Sequence, residues 1–478
     1  MLLFRSLAMF ALLSLPESAA IQPQAGLKLP LTRTRIHRPA SFHDGVLTSD
    51  VSVVNSKEYA YLVVMSIGGQ NFSLILDTGS SDLWVVSSDC QDSDCKGVPT
   101  YSSSSSSAFQ ALNKPFSLSY LEGSASGTVA TDNVALGPYT ISSQIFAPAN
   151  HTRGLDLSNT ATSGILGLSF PFAASIPATQ GHTLLDNIFA SLNDYDRFFA
   201  YKLGRAASSF TIGQLDPYIA NSTDGFAYTP VTGLDQTVYD YWKLPLRGIT
   251  IDSKTLPLSR SLVPGSKTPI AVLDTGTTLI LGPTVDVDNF WASVGGNGTV
   301  RKNANTSNWE VQCTRAVSVG FVLGDDASAK EYAVHPEDIS WGESTSPGGW
   351  CMGGIQANDD VNSADWLLGD VFLRVSNPRF VLNNVYVTHH GTTITSPPLI
   401  GLLNTTDPAL AMAEFTSERG SDPAPPPVIQ AIRMRPRYSL AELGLISGLS
   451  SLIGWLLGAL VSILVWRQRT NRIRKEKW

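Results

Sequence analysis

The chain has 478 residues, of which 43% are hydrophobic and 15% charged, so it exceeds one typical domain and has ample apolar material for a large core. We therefore expect a globular protein. The formal net charge is −7, and basic residues concentrate only near the two ends, which argues against nucleic acid as a partner.

The first 20 residues have the pattern of a secretory signal peptide. Arg5 precedes an apolar run from Leu7 to Leu15, and the small residues Ser18-Ala19-Ala20 follow it, as signal peptidase requires. We predict cleavage after Ala20. The apolar run is too short to span a bilayer, which disfavours a membrane anchor here.

Residues 21–55 differ from the rest because basic residues stand among Pro and Ser. These residues are Lys28, Arg33, Arg35, His37 and Arg38. By itself, such a composition is typical of a flexible, solvated arm.

From Glu58 onward the sequence has the pattern of β-structure. Tyr59 to Ile67 and Phe72 to Asp77 form one predicted hairpin around Gly68-Gly69. Phe116 to Tyr120 and Thr128 to Leu136 form a second hairpin, with Gly123 near its tip. Helical patterns are sparse, and the two best run from His182 to Leu192 and from Val285 to Val294. We predict a mainly β protein.

A carboxylate follows an apolar strand at two places in the chain. Leu74-Ile75-Leu76 leads into Asp77-Thr78-Gly79-Ser80, and Ala271-Val272-Leu273 leads into Asp274-Thr275-Gly276-Thr277, 197 positions later. A lone Asp after a buried strand is usually a turn residue. Two copies with the same flanking residues indicate two halves of one site.

The repetition extends beyond the carboxylates. Gly164-Ile165-Leu166-Gly167 and Trp366-Leu367-Leu368-Gly369 place Gly167 and Gly369 at 90 and 95 residues after their respective Asp. This spacing favours two duplicated lobes over a solenoid, whose repeat would be much shorter.

Four cysteines, Cys90, Cys95, Cys313 and Cys351, could pair in three ways. No two of them stand in a CxxC spacing, which disfavours zinc, and an oxidising secretory compartment would consume free thiols. The sequence therefore predicts structural disulfides without fixing their connectivity.

The C-terminal region contains a Pro-rich segment followed by a long uncharged segment. Asp422-Pro423-Ala424-Pro425-Pro426-Pro427 predicts an extended stalk. Leu443 to Trp466 then gives 24 residues without a charge, long enough to cross a bilayer as a helix. Six cations follow this segment and three precede it, which predicts a cytosolic C-terminus and type I topology. A GPI signal is the alternative, but its apolar tail would normally end the chain.

Taken together, the paired Asp-Thr-Gly turns, the two apolar-apolar-Gly segments and the hairpin Tyr120-Leu121-Glu122-Gly123-Ser124 resemble the pepsin-like (A1-type) aspartic proteases. The resemblance spans roughly Tyr59 to Leu403. It implies a bilobal fold with an active-site cleft between two related β lobes.

The same resemblance implies roles for individual residues. Asp77 and Asp274 would be the catalytic pair, flanked by supporting turn residues. Tyr120 and Gly123 would belong to a flap that closes over substrate, Trp84 would position the Tyr120 phenol, and Tyr241 would line a subsite. The supporting turn residues are Thr78, Gly79, Ser80, Thr275, Gly276 and Thr277.

The resemblance also implies Cys90–Cys95 and Cys313–Cys351 disulfides, and an inhibitory basic pro-segment in place of a free arm. Such a segment would lie across the cleft and pair with the carboxylates until acid protonates them. The sequence departs from the family pattern after Arg374, where Val375 to about Asn383 is inserted before the strand-like Asn384 to Val387. The insertion is either a surface loop or a gene-model artefact.

Other catalytic motifs are missing from the sequence. It lacks His-Glu-x-x-His and Gly-x-x-x-x-Gly-Lys, and Ala125 stands where a serine nucleophile elbow would need Ser. No metal and no cofactor is implied.

The sequence thus predicts a monomeric, membrane-anchored aspartic endopeptidase of the secretory pathway, active on proteins or peptides at acidic pH. The catalytic body would face the lumen or the exterior, at the cell surface or in the vacuole. The predicted parts are a signal peptide (1–20), pro-segment (21–55), N-terminal lobe (56–218), C-terminal lobe (219–404), stalk (405–442), transmembrane helix (443–466) and cytosolic tail (467–478).

Six Asn-x-Ser/Thr sequons fit a lumenal or extracellular body, and we expect glycosylation among Asn71, Asn150, Asn221, Asn297, Asn305 and Asn404. Two other functions stay open. One is a surface protein with a protease fold that binds a ligand without cleaving it. The other is a dedicated processing protease of the vacuole, Golgi or cell surface.

Overall fold

β-Strands make up most of the regular structure. The computed structural model describes residues 26–35, 59–204, 208–216, 225–295, 298–346, 349–361, 363–375, 385–389, 397–403 and 406–420, all within one compact unit that ends at residue 423. The predicted signal peptide, transmembrane segment and tail, and most of the predicted pro-segment and stalk, lie outside the described residues.

The first half of the chain contributes eleven strands to the described structure. They are β1 (Leu27–Arg35), β2 (Tyr59–Ile67), β3 (Gln70–Asp77), β4 (Leu83–Val86), β5 (Gln110–Ser119), β6 (Ser124–Leu136), β7 (Tyr139–Arg153), β8 (Gly164–Gly167), β9 (Phe198–Gly204), β10 (Ser208–Ile212) and β11 (Ala227–Pro230).

Fifteen further strands follow. They are β12 (Lys243–Ile251), β13 (Lys254–Leu256), β14 (Ile270–Leu273), β15 (Ile280–Gly282), β16 (Val300–Lys302), β17 (Trp309–Gln312), β18 (Val319–Leu323), β19 (Lys330–Val334), β20 (Ser340–Ser346), β21 (Trp350–Gly353), β22 (Ile355–Ala357), β23 (Trp366–Leu368), β24 (Arg374–Val375), β25 (Val385–His389) and β26 (Leu399–Leu403).

The described helices are short and lie between strands or after them. The α-helices are α1 (Leu157–Thr160), α2 (Leu184–Ala190), α3 (Thr284–Val294), α4 (Pro336–Ile339), α5 (Asp370–Leu373) and α6 (Pro408–Arg419). Single 3₁₀ turns occur at Ser93–Cys95, Ser103–Ser105, Pro171–Ala173 and Asp194–Asp196. In the part of the chain that the structure describes, none of these helices has the length and apolarity needed to cross a membrane.

Three sheets contain these strands. The largest has 14 strands in the order β11-β26-β25-β9-β10-β1-β2-β3-β8-β4-β7-β6-β5, with β24 beside β9. A second sheet of eight strands is built around β12, β14, β23 and β15, and a third of four strands has the order β16-β17-β21-β20. The largest sheet thus joins strands from the first half of the chain to the late strands β25 and β26.

The duplicated sequence produces duplicated topology. In the first half, β3 is parallel to β8, β8 is antiparallel to β4, and β4 is parallel to β7. In the second half, β14, β23, β15 and β22 repeat the same parallel, antiparallel and parallel relationships. In both halves, the strand that precedes the Asp pairs with the strand that contains the apolar-apolar-Gly segment.

A hydrophobic core runs through both halves of the unit. Trp242, just before β12, is fully buried against residues of the first half of the chain. Its ring lies 4.2 Å from that of Phe170 and 5.6 Å from that of Phe199, measured between centroids. Its Nε1 donates to the backbone oxygen of Leu168 at 2.9 Å. This tryptophan therefore fixes the second half of the chain against the segment that follows β8.

The local predictions are confirmed with small changes of boundary. Both hairpins are present. The helix predicted from His182 to Leu192 is present as the shorter α2, and the helix predicted from Val285 to Val294 is present as α3, which begins one residue earlier. Positive φ angles at Gly68 (58°) and Gly69 (76°) explain the first turn, because glycine adopts this region without steric cost. Strand β1 was not predicted, and it lies between β2 and β10.

The inserted segment falls mostly outside the described residues. Val375 is in β24, which pairs with β9, and the strand predicted from Asn384 to Val387 is present as β25. Residues 376–384 are not described. The division of the chain into pro-segment, lobes, stalk and tail stays a prediction.

Candidate active site

Asp77 lies at the end of β3, where the chain leaves the sheet in a tight turn. Its Oδ1 accepts the backbone N–H of Gly79 at 2.8 Å, and its Oδ2 accepts the Ser80 hydroxyl at 2.5 Å. The residue is 4% exposed. The turn itself therefore supplies the polar partners that a buried carboxylate needs.

Asp274 has the same environment in the second half. Its Oδ1 accepts the Gly276 N–H at 2.8 Å, and its Oδ2 accepts the Thr277 hydroxyl at 2.8 Å. It is 7% exposed. Ser80 and Thr277 thus play equivalent roles, as the sequence predicts.

The two turns are bound to each other by their threonines. The Thr78 N–H donates to Thr275 Oγ1 at 3.0 Å, and the Thr275 N–H donates to Thr78 Oγ1 at 3.0 Å. The Thr78 hydroxyl donates to the backbone oxygen of Leu273, and the Thr275 hydroxyl to that of Leu76. This reciprocal network fixes the relative position of the two halves at the site.

Glycines allow the two carboxylates to approach. A Cβ at Gly79 would lie 2.5 Å from Asp274 Oδ1, and a Cβ at Gly276 would collide with Asp77 Oδ1. Each carboxylate therefore lies directly against the turn that contains the other. Gly167 and Gly369 allow a similar close approach of backbone to backbone. An added Cβ at Gly167 would collide with the backbone of Ser81, and one at Gly369 with that of Thr277.

The electrostatics of the pair favour retention of a proton. Burial, reinforced by the negative charge of Asp77, raises the pKa of Asp274. Hydrogen bonds from Thr277 and Gly276 oppose this shift. The site consequently contains an acid and a base side by side.

Tyr120 covers the site from the hairpin of β5 and β6. Its hydroxyl accepts the indole N–H of Trp84 at 2.7 Å, as predicted. Burial and the charge of Asp77 raise the pKa of Tyr120, so the phenol stays protonated. At the tip, Gly123 has φ 83°, and its carbonyl accepts the Tyr120 N–H at 3.0 Å.

A cleft of about 380 Å³ lies in front of the carboxylates. Tyr241 lines it, as the resemblance implies. Its apolar wall includes Ile75, Leu118, Leu155, Ile165, Val272 and Leu367. Within the described residues, no group of three or more His, Cys, Asp or Glu side chains is arranged to hold a metal ion.

Both predicted disulfides are present, Cys90–Cys95 and Cys313–Cys351. Among the sequons, Asn71 and Asn305 are exposed and Asn150 is half-buried. Asn221, Asn297 and Asn404 lie outside the described residues.

Sequence reasoning missed a buried polar group behind Asp274. Asp370, the first residue of α5, is 2% exposed, and Arg374, which directly follows α5, pairs with the fully buried Asp338 of α4. The only sequence signal was the Asp that directly follows Gly369. Asp338, which pairs with Arg374, is 36 positions away in sequence and could not be identified as its partner without the fold.

Comparison with known proteins gives a consistent result. Residues 58–388 match the model of the family described as eukaryotic aspartyl protease. The chain is 30% identical to the aspartic protease of Phaffia rhodozyma over 358 residues, which cover 73% of this chain and 80% of that protein.

Two further relatives lie at similar distance. Pepsin A of Sus scrofa is 28% identical over 352 residues, 72% of this chain and 84% of that protein. The major aspartyl peptidase 1 of Cryptococcus neoformans is 27% identical over 332 residues, 66% of this chain and 65% of that protein.

Proposed function

The chain belongs to the eukaryotic aspartyl protease family and is an aspartic endopeptidase, and from this premise we propose that Asp77 and Asp274 hydrolyse peptide bonds at acidic pH through one activated water. The observation that supports the proposal is the reciprocal hydrogen bonding of the two Asp-Thr-Gly turns, whose buried carboxylates both line the cleft.

In the proposed reaction, the two carboxyl groups share one proton. The ionised member takes a proton from a water between them as the water oxygen bonds to the peptide carbonyl carbon, and the protonated member donates its proton to the carbonyl oxygen. The carboxyl group that took the proton from water then passes it to the nitrogen of the tetrahedral diol. The C–N bond breaks, and one diol hydroxyl returns its proton to the other carboxylate, which leaves a carboxylic acid, an amine and the pair in its starting state. The raised pKa of Asp274 fits this arrangement, and the shared proton is assigned to the pair rather than to either residue.

The supporting residues hold the pair without taking part in bond changes. Ser80 and Thr277 donate to the outer carboxylate oxygens and so keep both groups oriented. Tyr120, held by Trp84, would close over substrate and exclude water from the reacting centre.

Substrate would bind as an extended strand beneath the flap, since main-chain hydrogen bonding is the general mode for a peptide in such a cleft. The apolar wall formed by Ile75, Leu118, Leu155, Ile165, Val272 and Leu367 favours hydrophobic or other bulky side chains next to the scissile bond.

We propose residues 21–55 as a pro-segment. Leu27–Arg35 forms a strand of the largest sheet, before the start of the family match at residue 58. In the described part, Lys28 pairs with Asp216 at 2.7 Å.

The localisation proposal rests on sequence features. A signal peptide at 1–20, exposed sequons at Asn71 and Asn305, and the uncharged segment Leu443–Trp466 support a glycosylated, single-pass type I protein of the secretory pathway. Protease added outside sealed microsomal vesicles tests the topology and should digest a C-terminal tag, because the proposed topology exposes that end to the cytosol. Protection of the tag until detergent opens the vesicles would contradict it.

A cleavage assay separates this function from ligand binding without catalysis. We expect pepstatin-sensitive hydrolysis of a quenched fluorescent peptide between about pH 3 and 6. Asp77→Asn should lose nearly all of it, because the amide cannot accept the proton from water. Equal activity in both proteins would overturn the mechanism.

A further inference from the structure

Helix α6 lies beyond the family match yet packs on the catalytic body. It begins with a strong cap, since Asp407 Oδ1 accepts the N–H groups of Ala409 at 2.8 Å and Leu410 at 3.1 Å, and Pro408 occupies the first turn. On the inner face Phe415 is fully buried. The sequence just after the last strand is therefore an ordered part of the second half.

The inner face of α6 contacts both ends of α4. Glu414 Oε2 lies 3.6 Å from Nε2 of His335, the N-cap residue of α4. Arg419 Nη1 donates to the backbone oxygen of Ser340, the C-cap residue, at 3.2 Å. Because α4 has only four residues, these two contacts fix it at both termini.

Helix α4 in turn holds a charged residue near the site. Its Asp338 is fully buried and pairs with Arg374, whose guanidinium stacks 4.1 Å from the Trp341 ring centroid. Arg374 directly follows α5, so the ion pair joins α4 to the C-terminal end of that helix.

The other end of α5 rests on the Asp274 turn. The Asp370 N–H donates to the carbonyl of Thr277 at 2.9 Å, and the Val371 N–H to that of Thr278 at 2.9 Å. Thr277 is the residue whose hydroxyl donates to Asp274. Burial raises the pKa of Asp370, Arg374 opposes that shift and Asp274 adds to it, which places these groups within electrostatic reach.

We propose that α6 is a positioning element for Asp274, acting through α4, the Asp338–Arg374 pair and α5. Glu414 and Arg419 are positioning residues in this scheme. Both act through α4, and their removal would let the Thr277 turn shift. The inference rests on the proposed role of Asp274 in catalysis.

The test compares full-length, acid-activated variants on one peptide substrate, well below each variant's measured Tm. Arg419→Ala should lower kcat about 3- to 10-fold with KM changed less than about twofold, because small displacements of a reacting group slow the chemical step. Arg419→Lys should restore most of kcat, since its ammonium can still donate to Ser340.

Helix α6 also offers a matched pair of variants. Glu414→Gln and Glu418→Gln make the same change of charge one turn apart, but Glu418 is exposed and Glu414 faces His335. We expect a lower kcat for Glu414→Gln alone. Unchanged kcat in Arg419→Ala, even with a lower Tm, would overturn the proposal and leave α6 as a stabilising helix.

Asp274→Asn in the same assay distinguishes the two proposals. If that variant retains activity, the proposed mechanism fails and the inference with it. If it is inactive while Arg419→Ala and Glu414→Gln keep the full kcat, only the inference fails.

Discussion

Thr78 and Thr275 each accept the backbone N–H of the other at 3.0 Å, across 197 positions of sequence. Both are fully or nearly fully buried, at 0% and 3% exposure. The two halves of the chain are therefore joined directly beside the two buried carboxylates, and the geometry of that pair depends on these hydroxyl groups.

Thr78→Val should destabilise the protein by roughly 2–4 kcal/mol, because the change leaves the Thr275 N–H and the Leu273 carbonyl without their partner in a buried site. Urea unfolding at a pH near 5 measures the free energy. Thr78→Ser keeps the hydroxyl and should cost clearly less. Equal losses in the two variants would show that the methyl group, rather than the hydrogen bonds, matters.

Asp274→Asn should flatten the dependence of stability on pH. The folded-state pKa of Asp274 is raised from 3.8 to about 7. Between these values the folded state binds more protons than the unfolded state, so stability is present at low pH and is lost as pH rises through about 7. The slope contributed by one such group approaches about 1.4 kcal/mol per pH unit.

Free energies of unfolding measured from pH 4 to 7 check this prediction, with intact, unactivated protein to avoid self-digestion. The wild type should lose stability over this window faster than Asp274→Asn. Parallel curves would contradict the raised pKa. Asp370, whose pKa is also raised by burial, is retained in both proteins, and loss of the Asp274 charge reduces its shift in the variant, which acts in the same direction.

Asp338→Asn should be among the more damaging single changes. Asp338 and Arg374 have side-chain exposures of 0% and 6%, and removal of one partner leaves the other charge buried, at a cost of about 3–5 kcal/mol. The surface pair Arg247–Asp326 provides the control, since Asp326 is 94% exposed and Asp326→Asn should cost less than about 1 kcal/mol. Thermal unfolding of both variants makes the comparison.

Tyr120→Phe and Trp84→Phe should affect catalysis through one shared interaction. Their hydrogen bond of 2.7 Å orients the phenol over the site. We expect each variant to lower kcat/KM and the double variant to lower it by less than the product of the two effects, with a coupling of about 0.5–3 kcal/mol. Strictly multiplicative effects would mean that the bond does not contribute to flap function.

The geometry of the candidate pair could be predicted because its signal is local and occurs twice. An apolar strand, an Asp and a Thr-Gly turn fix the conformation around Asp77 from neighbouring residues alone, and the same is true at Asp274. The first hairpin is equally local, since Gly68 and Gly69 supply the left-handed turn. Glycosylation, topology and the pro-segment boundary stay predictions from sequence.

Only the tertiary structure placed β1 between β2 and β10, paired Asp338 with Arg374, and docked α6 on α4. Each relationship joins segments far apart in the chain. The sequence of residues 21–55 does not specify which strands β1 pairs with, and that of residues 408–419 does not specify which surface α6 covers. Local sequence thus determined the candidate groups for the chemistry and the turns that contain them. Long-range packing decided how they are held, because burial and ion pairing depend on partners that only the folded chain brings together.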